Sequence, residues 1–582
     1  MFSAQIMVSR MYIGITTPVY FINFAALMKK KLKIGLGILL LLVVLVVATY
    51  YLKVRIEPPL QVQVVSTNVI QKAAQFYESE NGSWLRKNDK SVWEMSINGT
   101  PYERGMAFGA LAEQLQMEKE AAFVGEIKNR IPSDAYLGFL KLIVGWFNRD
   151  LDDYVPQEYL HEIYGASHYM PDSFDFVAPK FHRALSYHAA HDIGHALQNM
   201  NLVGCTSFAA TGQKTENGKL LIGRNFDFYF GGDFAKDVVL AVVRPTEGHQ
   251  FISVTWACFS GVVSGMNEKG LTVTLNSAKS DIPGKGKMPV SLIARQILQY
   301  ASNIEEAYEI AQSYESFVSE TFLIGSKTDG RVALIEKTPE KTALYSEDDE
   351  DLIVTNHFQS HELKNTALNL EYMGEEVSTY RYQRVAELMD SLAPLTPGKV
   401  AYILRDKQGQ SGKNIGLANE KAINQLLAHH SVIFSPEEMK MWVSSPPYQL
   451  GNYLAYDLIS IFQNKEDEFT YTDSVSIAPD PFLYTHTYEN YERFVTIKEK
   501  IQRFLYRGDG EKITAQEELE MVKSNSNSFL TYYYLGDYFK ALEDWEKAKY
   551  YYETGLTKEI AKVSEKEHME NGLAECRGNL QQ

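Results

Sequence analysis

Cysteine is nearly absent from this chain: 582 residues contain three, Cys205, Cys258 and Cys576. Three thiols so far apart cannot build a disulfide framework or a cysteine zinc site. A basic excess is missing as well. The 57 Lys+Arg face 73 Asp+Glu, a net charge of −16, which removes the cationic footprint that nucleic-acid binding needs. Long uncharged apolar runs are rare, and one at 34–52 stands out. What remains is globular in composition, 45% hydrophobic and 22% charged, in a chain long enough for several domains.

The apolar run follows Lys29, Lys30, Lys31 and Lys33 and precedes Lys53 and Arg55. At about 1.5 Å per residue it is just long enough to span a hydrocarbon core. A cleaved signal peptide is the rival, with Val46-Val47-Ala48 as the small-residue site. Tyr50 and Tyr51 at the far boundary favour an anchor. Either way, the lysines put residues 1–33 in the cytoplasm and the rest outside the membrane. Met28 reads as a natural start, which would make 1–27 an upstream extension.

Residues 66–80 read as a helix, and 91–97 alternate like a strand. A mostly helical stretch runs over 106–201, interrupted at Pro132, Pro156 and Pro171. Beyond Cys205 the period changes to short strand-like runs at 238–244, 251–256, 271–276, 321–326, 332–336 and 352–355. Helical patterns at 290–301, 304–313 and 379–392 interleave with them. This pattern suits a layered α+β fold. The expected organisation is a segment 53–204, a catalytic core 205–463, a linker 464–487 and a helical tail 488–582. In the tail, Tyr532, Leu535, Gly536, Phe539, Ala548 and Tyr552 match tetratricopeptide (TPR) spacing once. One repeat cannot bury its own face. It packs on the catalytic domain, or offers a surface to a protein partner.

The most informative segment is 204–227. Cys205 heads a strand through Thr211. A turn on Glu216, Asn217 and Gly218 reverses the chain, and a second strand from Lys219 returns Arg224 and Asp227 beside the cysteine. A thiol near a guanidinium is an activated nucleophile in outline, because positive charge favours the thiolate. Cys258, in Trp256-Ala257-Cys258-Phe259, reads as a buried small apolar residue, and Cys576 carries no signal.

Gly204-Cys205-Thr206-Ser207 with Gly223-Arg224-Asn225-Phe226-Asp227 resembles the processing site of the N-terminal nucleophile (Ntn) cysteine hydrolases. The likeness is to the acyl-coenzyme A:6-aminopenicillanic acid acyltransferase group, with choloylglycine hydrolase and acid ceramidase as relatives. Gly265-Met266-Asn267-Glu268-Lys269-Gly270 leading to Asn276, Thr355-Asn356-His357-Phe358 and Ser378 through Arg381 to Arg384 follow in order. Gly99, Glu103-Arg104-Gly105 and Gly109 resemble the acyltransferase light chain. The resemblance implies a four-layer αββα sandwich made as a precursor that cuts itself between Gly204 and Cys205. The freed α-amine, with an ordinary pKa of about 7.7–8.0, then serves as base for its own thiol. It implies Cys205 as nucleophile, Arg224 stabilising the thiolate and Asp227 holding the amine. Asn356 would serve the oxyanion, assisted by Asn276, and Arg381 would complete the cluster ahead of Arg384. The reaction implied is hydrolysis of a small-molecule N-acyl amide through a thioester, with acyl transfer beside it. No cofactor or metal is called for.

Three rivals stand beside this. Bile-salt hydrolase is the first, set back by the long segment before Cys205. A zinc metallohydrolase is the second: His188, His191 and His195 flank Asp192, mimicking a zinc helix with Asp in place of Glu. An inactive, membrane-tethered binding protein using the tail is the third. His429 and His430 read as structural.

Overall fold

The computed structural model of the chain describes residues 19–581 apart from 60–66, 132, 191, 193–203, 229–230, 281–283, 347–349, 376, 465–467 and 508–509. Two compact units divide it, Met1–Arg55 and Ile56–Gln582.

The first unit is a helix, Val19–Lys53, of which Leu27–Lys53 is long and apolar enough to cross a membrane. Leucines and valines from Leu36 to Val47 are exposed all around it. A helix apolar on every side and buried by nothing in its own unit fits a signal anchor or membrane segment. The helix runs through the four lysines, which are good helix formers.

The second unit mixes sheet and helix. Among the described residues a large sheet of eleven strands runs from Val69–Ala73 at one edge to Thr342–Tyr345 at the other. A smaller sheet orders its six strands as Asp351–Val354, Thr206–Gly212, Gly218–Phe226, His430–Ser435, Lys440–Ser444 and Tyr453–Asp457. In the large sheet, Trp93–Gly99 pairs in parallel with Val239–Pro245, so a strand ahead of the cysteine is built into the same sheet as those after it.

Period-2 alternation sends neighbouring side chains to opposite faces, and here both faces are buried. Leu240, Val242 and Leu323 of the large sheet share a core with Ala209, Ile222 and Val432 of the small one. Their neighbours Val239, Ala241 and Phe322 pack instead with Ile293 and Ile297 of the helix Val290–Tyr300 and with Ile163 of Gln157–Ser167. Phe208, Leu221 and Ile433 of the small sheet pack with Val385, Met389 and Ile403 from the helices Val377–Leu392 and Pro397–Leu404.

One local expectation fails. Residues 66–80 hold no helix among those described: Val69–Ala73 and Phe76–Ser79 form an antiparallel hairpin that turns at Gln75, φ 55°. Val69, Ile70, Phe76 and Tyr77 are β-branched or aromatic, and pairing with Trp84–Lys87 uses that preference.

The light-chain motif has a packing explanation. A Cβ on Gly105 would lie 1.9 Å from Glu162 O, and one on Gly165 would lie 2.7 Å from Tyr102 O. The helices Pro101–Leu111 and Gln157–Ser167 therefore touch backbone to backbone. Arg104 and Arg295 both pair with buried Glu162, holding its carboxyl down at about 2.

Beyond Gln463 the chain keeps to the same unit. Phe469 lies in the core between the sheets, and Ile477 bridges to Tyr453. Five helices follow, from His486–Arg507 to Val563–Leu580, and their core includes Val377, Leu426 and Leu450 of the preceding region. The tail thus packs on the sheet-bearing part of the unit.

Candidate active site

The hairpin forms in the register that the motif needs. Thr206 pairs with Asn225 and Ser207 with Arg224, and the reversal ends on Gly218 at φ 73°. Gly204 N–H donates to Asp227 O at 2.9 Å, so pairing reaches past the strand and fixes the Gly204–Cys205 peptide against Asp227.

Cys205 is fully buried, with Arg224 Nη2 3.8 Å from its Sγ. The guanidinium is held tightly. It bonds Ser264 Oγ and Leu275 O, lies 3.4 Å from His430 Nε2 and sits 4.5 Å from the Phe226 ring centroid. Burial pushes the thiol up to about 11 against the pull of Arg224. At neutral pH the sulfur therefore keeps its proton.

Asp227 is a carboxyl whose charge bears on the Cys205 thiol, ahead of that of Glu320. Burial raises Asp227 to about 8, opposed by Arg381 and Arg224. Its Oδ2 accepts from Gln425 Nε2 at 3.3 Å, while Oδ1 has no hydrogen-bond partner among the described residues. A buried acceptor left empty costs about 1–3 kcal/mol unless something fills it.

Arg381 ties the cluster together. Nη1 donates to Cys205 O at 2.6 Å and Thr206 Oγ1 at 2.8 Å, and Nη2 donates to Asn356 Oδ1 at 2.6 Å. Arg384, one turn on, is occupied elsewhere by a two-pronged pair with Asp406. Asn356 Nδ2 donates to Ser277 O at 2.9 Å and Ser277 Oγ at 3.0 Å. Asn276 accepts from Ser207 Oγ at 2.7 Å and donates to Val354 O and Thr355 O. To serve an oxyanion, either amide would exchange one of these contacts for substrate.

All six residues singled out in the sequence thus lie in one network of contacts with the Gly204–Cys205 peptide. Three further members were not anticipated as parts of it, and a fourth residue, Glu320, bears on it through charge alone. Ser264 and His430 brace Arg224, and their hydroxyl–imidazole contact is 2.8 Å. Gln425 donates to Gly204 O at 3.4 Å as well as to Asp227. Glu320 is buried with neither carboxylate oxygen partnered among the described residues, and burial raises it well above the usual carboxylate range. None of the four carried a functional signal in the sequence, where His430 reads as structural.

His188 is used within the fold. Its Nδ1 donates to Ala184 O at 2.7 Å, and Nε2 accepts from Ser260 N–H at 2.9 Å, which leaves no lone pair for a metal. His191 and His195 lie outside the described residues. Cys258 is half-buried rather than buried, at φ 60°, with its thiol donating to Gln116 Oε1. It lines an apolar cavity with Phe228, Phe234, Trp256 and Phe259, whose wall therefore begins one residue past Asp227.

Residues 213–447 match the model of the acyl-coenzyme A:6-aminopenicillanic acid acyl-transferase family. An uncharacterised protein of Archaeoglobus fulgidus is 27% identical over 339 residues, 51% of this chain and 54% of that one, so the chain spans about half the length of this curated relative. A Caenorhabditis elegans orthologue of N-acylethanolamine-hydrolyzing acid amidase is similar at 17% identity, covering 40% of this chain and 93% of that one, TM-score 0.30. A mutant conjugated bile acid hydrolase from Clostridium perfringens is similar at 15% identity, covering 46% and 96%, TM-score 0.29. The resemblance read from the ordered motifs, to Ntn hydrolases of the acyltransferase group, is borne out.

Proposed function

We propose that the chain is a cysteine amidohydrolase that activates itself by cutting Gly204–Cys205 and then cleaves linear N-acyl amides through a thioester. The observation that carries this is the buried Cys205 thiol, 3.8 Å from Arg224, on a peptide fixed to Asp227 whose Oδ1 awaits a partner. An ammonium or amine on Cys205 is the group that Oδ1 would receive after the cut. The facing sheets with helices on their outer faces support the αββα sandwich that such enzymes use.

In the mature site the α-amine of Cys205 takes the thiol proton as sulfur attacks the amide carbonyl. Arg224 favours the developing thiolate, and Asn356 with Asn276 serves the tetrahedral oxyanion. Losing one such donor commonly costs about 100–1000-fold in rate. The amine leaves with the proton, and water, or a second amine in acyl transfer, resolves the thioester. The candidate membrane helix supports an anchored enzyme facing N-acyl amides outside the cytoplasm.

Intact mass and N-terminal sequencing of the purified protein test this. Wild type is expected as two fragments meeting at 204/205, with Cys205→Ala remaining whole and inactive. A panel of N-acyl amino acids, acyl-ethanolamines and conjugated bile salts then sorts the substrate. Chelator-sensitive activity that survives Cys205→Ala would replace this reading with a metal-dependent one.

A further inference from the structure

Gln425 stands 3.4 Å from the carbonyl oxygen of Gly204 and 3.3 Å from Asp227, yet nothing in its own strand or helix holds it there. It lies in the long connection between Pro397–Leu404 and His430–Ser435. Its neighbour Leu426 has φ 54°, and Ala418 has φ 63°, conformations that side-chain-bearing residues adopt at a cost of about 1–3 kcal/mol each. Something must over-determine this loop.

The C-terminal tail supplies much of that hold, beside Asn225, whose Nδ2 donates to Ile423 O at 3.0 Å, and Asp406, whose O accepts from Asn424 N–H at 2.7 Å. Asn525 clasps Leu417 with a reciprocal pair of hydrogen bonds, N–H to Oδ1 and Nδ2 to O, both 3.0 Å. Gly416 passes so close to Ser528 that a Cβ would lie 2.3 Å from its backbone. Glu559 accepts from Lys421 at 2.8 Å, and its backbone carbonyl accepts from Asn419. Tyr491 donates to Leu426 O at 3.2 Å, directly beside Gln425.

We propose that Gln425 polarises the scissile carbonyl during self-cleavage and that the helical tail, by clamping residues 415–426, licenses the cut. This rests on the self-cleavage reading above. The Cys205 sulfur bonds to the Gly204 carbonyl carbon, its proton passing to the empty Oδ1 of Asp227. The negative charge gathers on Gly204 O, where the Gln425 N–H meets it. The carbon–nitrogen bond breaks, the Cys205 nitrogen takes the proton from Asp227, and a Gly204 thioester remains. Water then breaks the carbon–sulfur bond, giving the Gly204 carboxylate, a free thiol and the new amine. A chain lacking a folded tail would stay inert, which couples activation to completion of the whole fold.

The test follows division of the full-length chain by intact mass over time. Gln425→Met, close in volume and unable to donate, is expected to fold with an unchanged melting profile and divide about 100-fold more slowly, the usual effect of one lost oxyanion donor. Gln425→Leu, equally without a donor, serves the same purpose should the first variant melt early. Asn525→Ala, which removes both hydrogen bonds to Leu417, is expected to slow division about 10-fold while the melting profile stays unchanged, where a general loss of structure would move both. Division of either Gln425 variant at the wild-type rate overturns the role of Gln425, and unchanged division of Asn525→Ala overturns that of the tail. A wild-type chain that never divides removes the self-cleavage reading itself, so the two failures are distinguishable.

Discussion

Arg381 Nη2 donates to Asn356 Oδ1 at 2.6 Å while Nη1 of the same guanidinium holds Cys205 O at 2.6 Å. One buried cation thus ties together a helix, the end of a strand and the nucleophile's own backbone. Fully desolvated hydrogen bonds from a charged donor are worth about 1.5–3 kcal/mol each, and losing the donor leaves acceptors bare.

Arg381→Met should therefore lower stability by about 2–4 kcal/mol in urea titrations and slow self-cleavage by more than tenfold. Arg384→Met is the control: it breaks the pair with Asp406 and should cost stability without altering cleavage per folded molecule. Equal effects of the two on cleavage would mean that the contact of Arg381 with Cys205 O has no specific part in it.

Asp227 gives a pH signature with a definite sign. Its carboxyl rises to about 8 on folding, whereas an unfolded aspartate titrates near about 3.9. Between those values the native state binds the extra proton. The stability it contributes is full below about 4 and drains as pH rises through about 8, by at most about 1.4 kcal/mol per pH unit. In the uncut Cys205→Ala chain, urea midpoints at pH 5 and pH 8 should differ more than in the same chain carrying Asp227→Asn. The same titration frees the base, so wild-type self-cleavage should quicken as pH climbs towards 8.

Gly105 lies where two helices touch, with no room for a methyl group beside Glu162 O. Gly105→Ala should cost about 1–3 kcal/mol, the usual range for overpacking. The helices would part and loosen the pairing of Glu162 with Arg104 and Arg295. A urea midpoint equal to wild type would mean that the contact is slack.

The helix Leu27–Lys53 predicts where the protein is found. The full chain should stay with membranes through alkaline carbonate washing. A chain starting at Ile56, the first residue of the second compact unit, should lose that carbonate-resistant insertion. Release of the full chain by carbonate would favour a cleaved signal.

The hairpin around Cys205 was legible because everything that sets it is local. Alternating apolar residues fix the pleat, and Asn217-Gly218 supplies the turn with its positive φ. The strand and helix patterns from 238 to 392 were readable for the same reason, since periods of 2 and 3.6 act over a few residues. The hairpin at 69–79 misled because a short polar-apolar stretch fits either period until a neighbouring strand claims it.

By itself, the sequence marked Cys205 as the candidate nucleophile, named the charged residues that the fold sets beside it and gave the apolar helix ahead of them. Each is written in adjacent residues or in an ordered set of short motifs. Only the tertiary structure decided that Ser264, His430 and Gln425 join them, and that burial leaves the thiol protonated until a base appears. Those facts depend on sheet register and on how much water the packed layers exclude, quantities that arise between elements far apart in the chain.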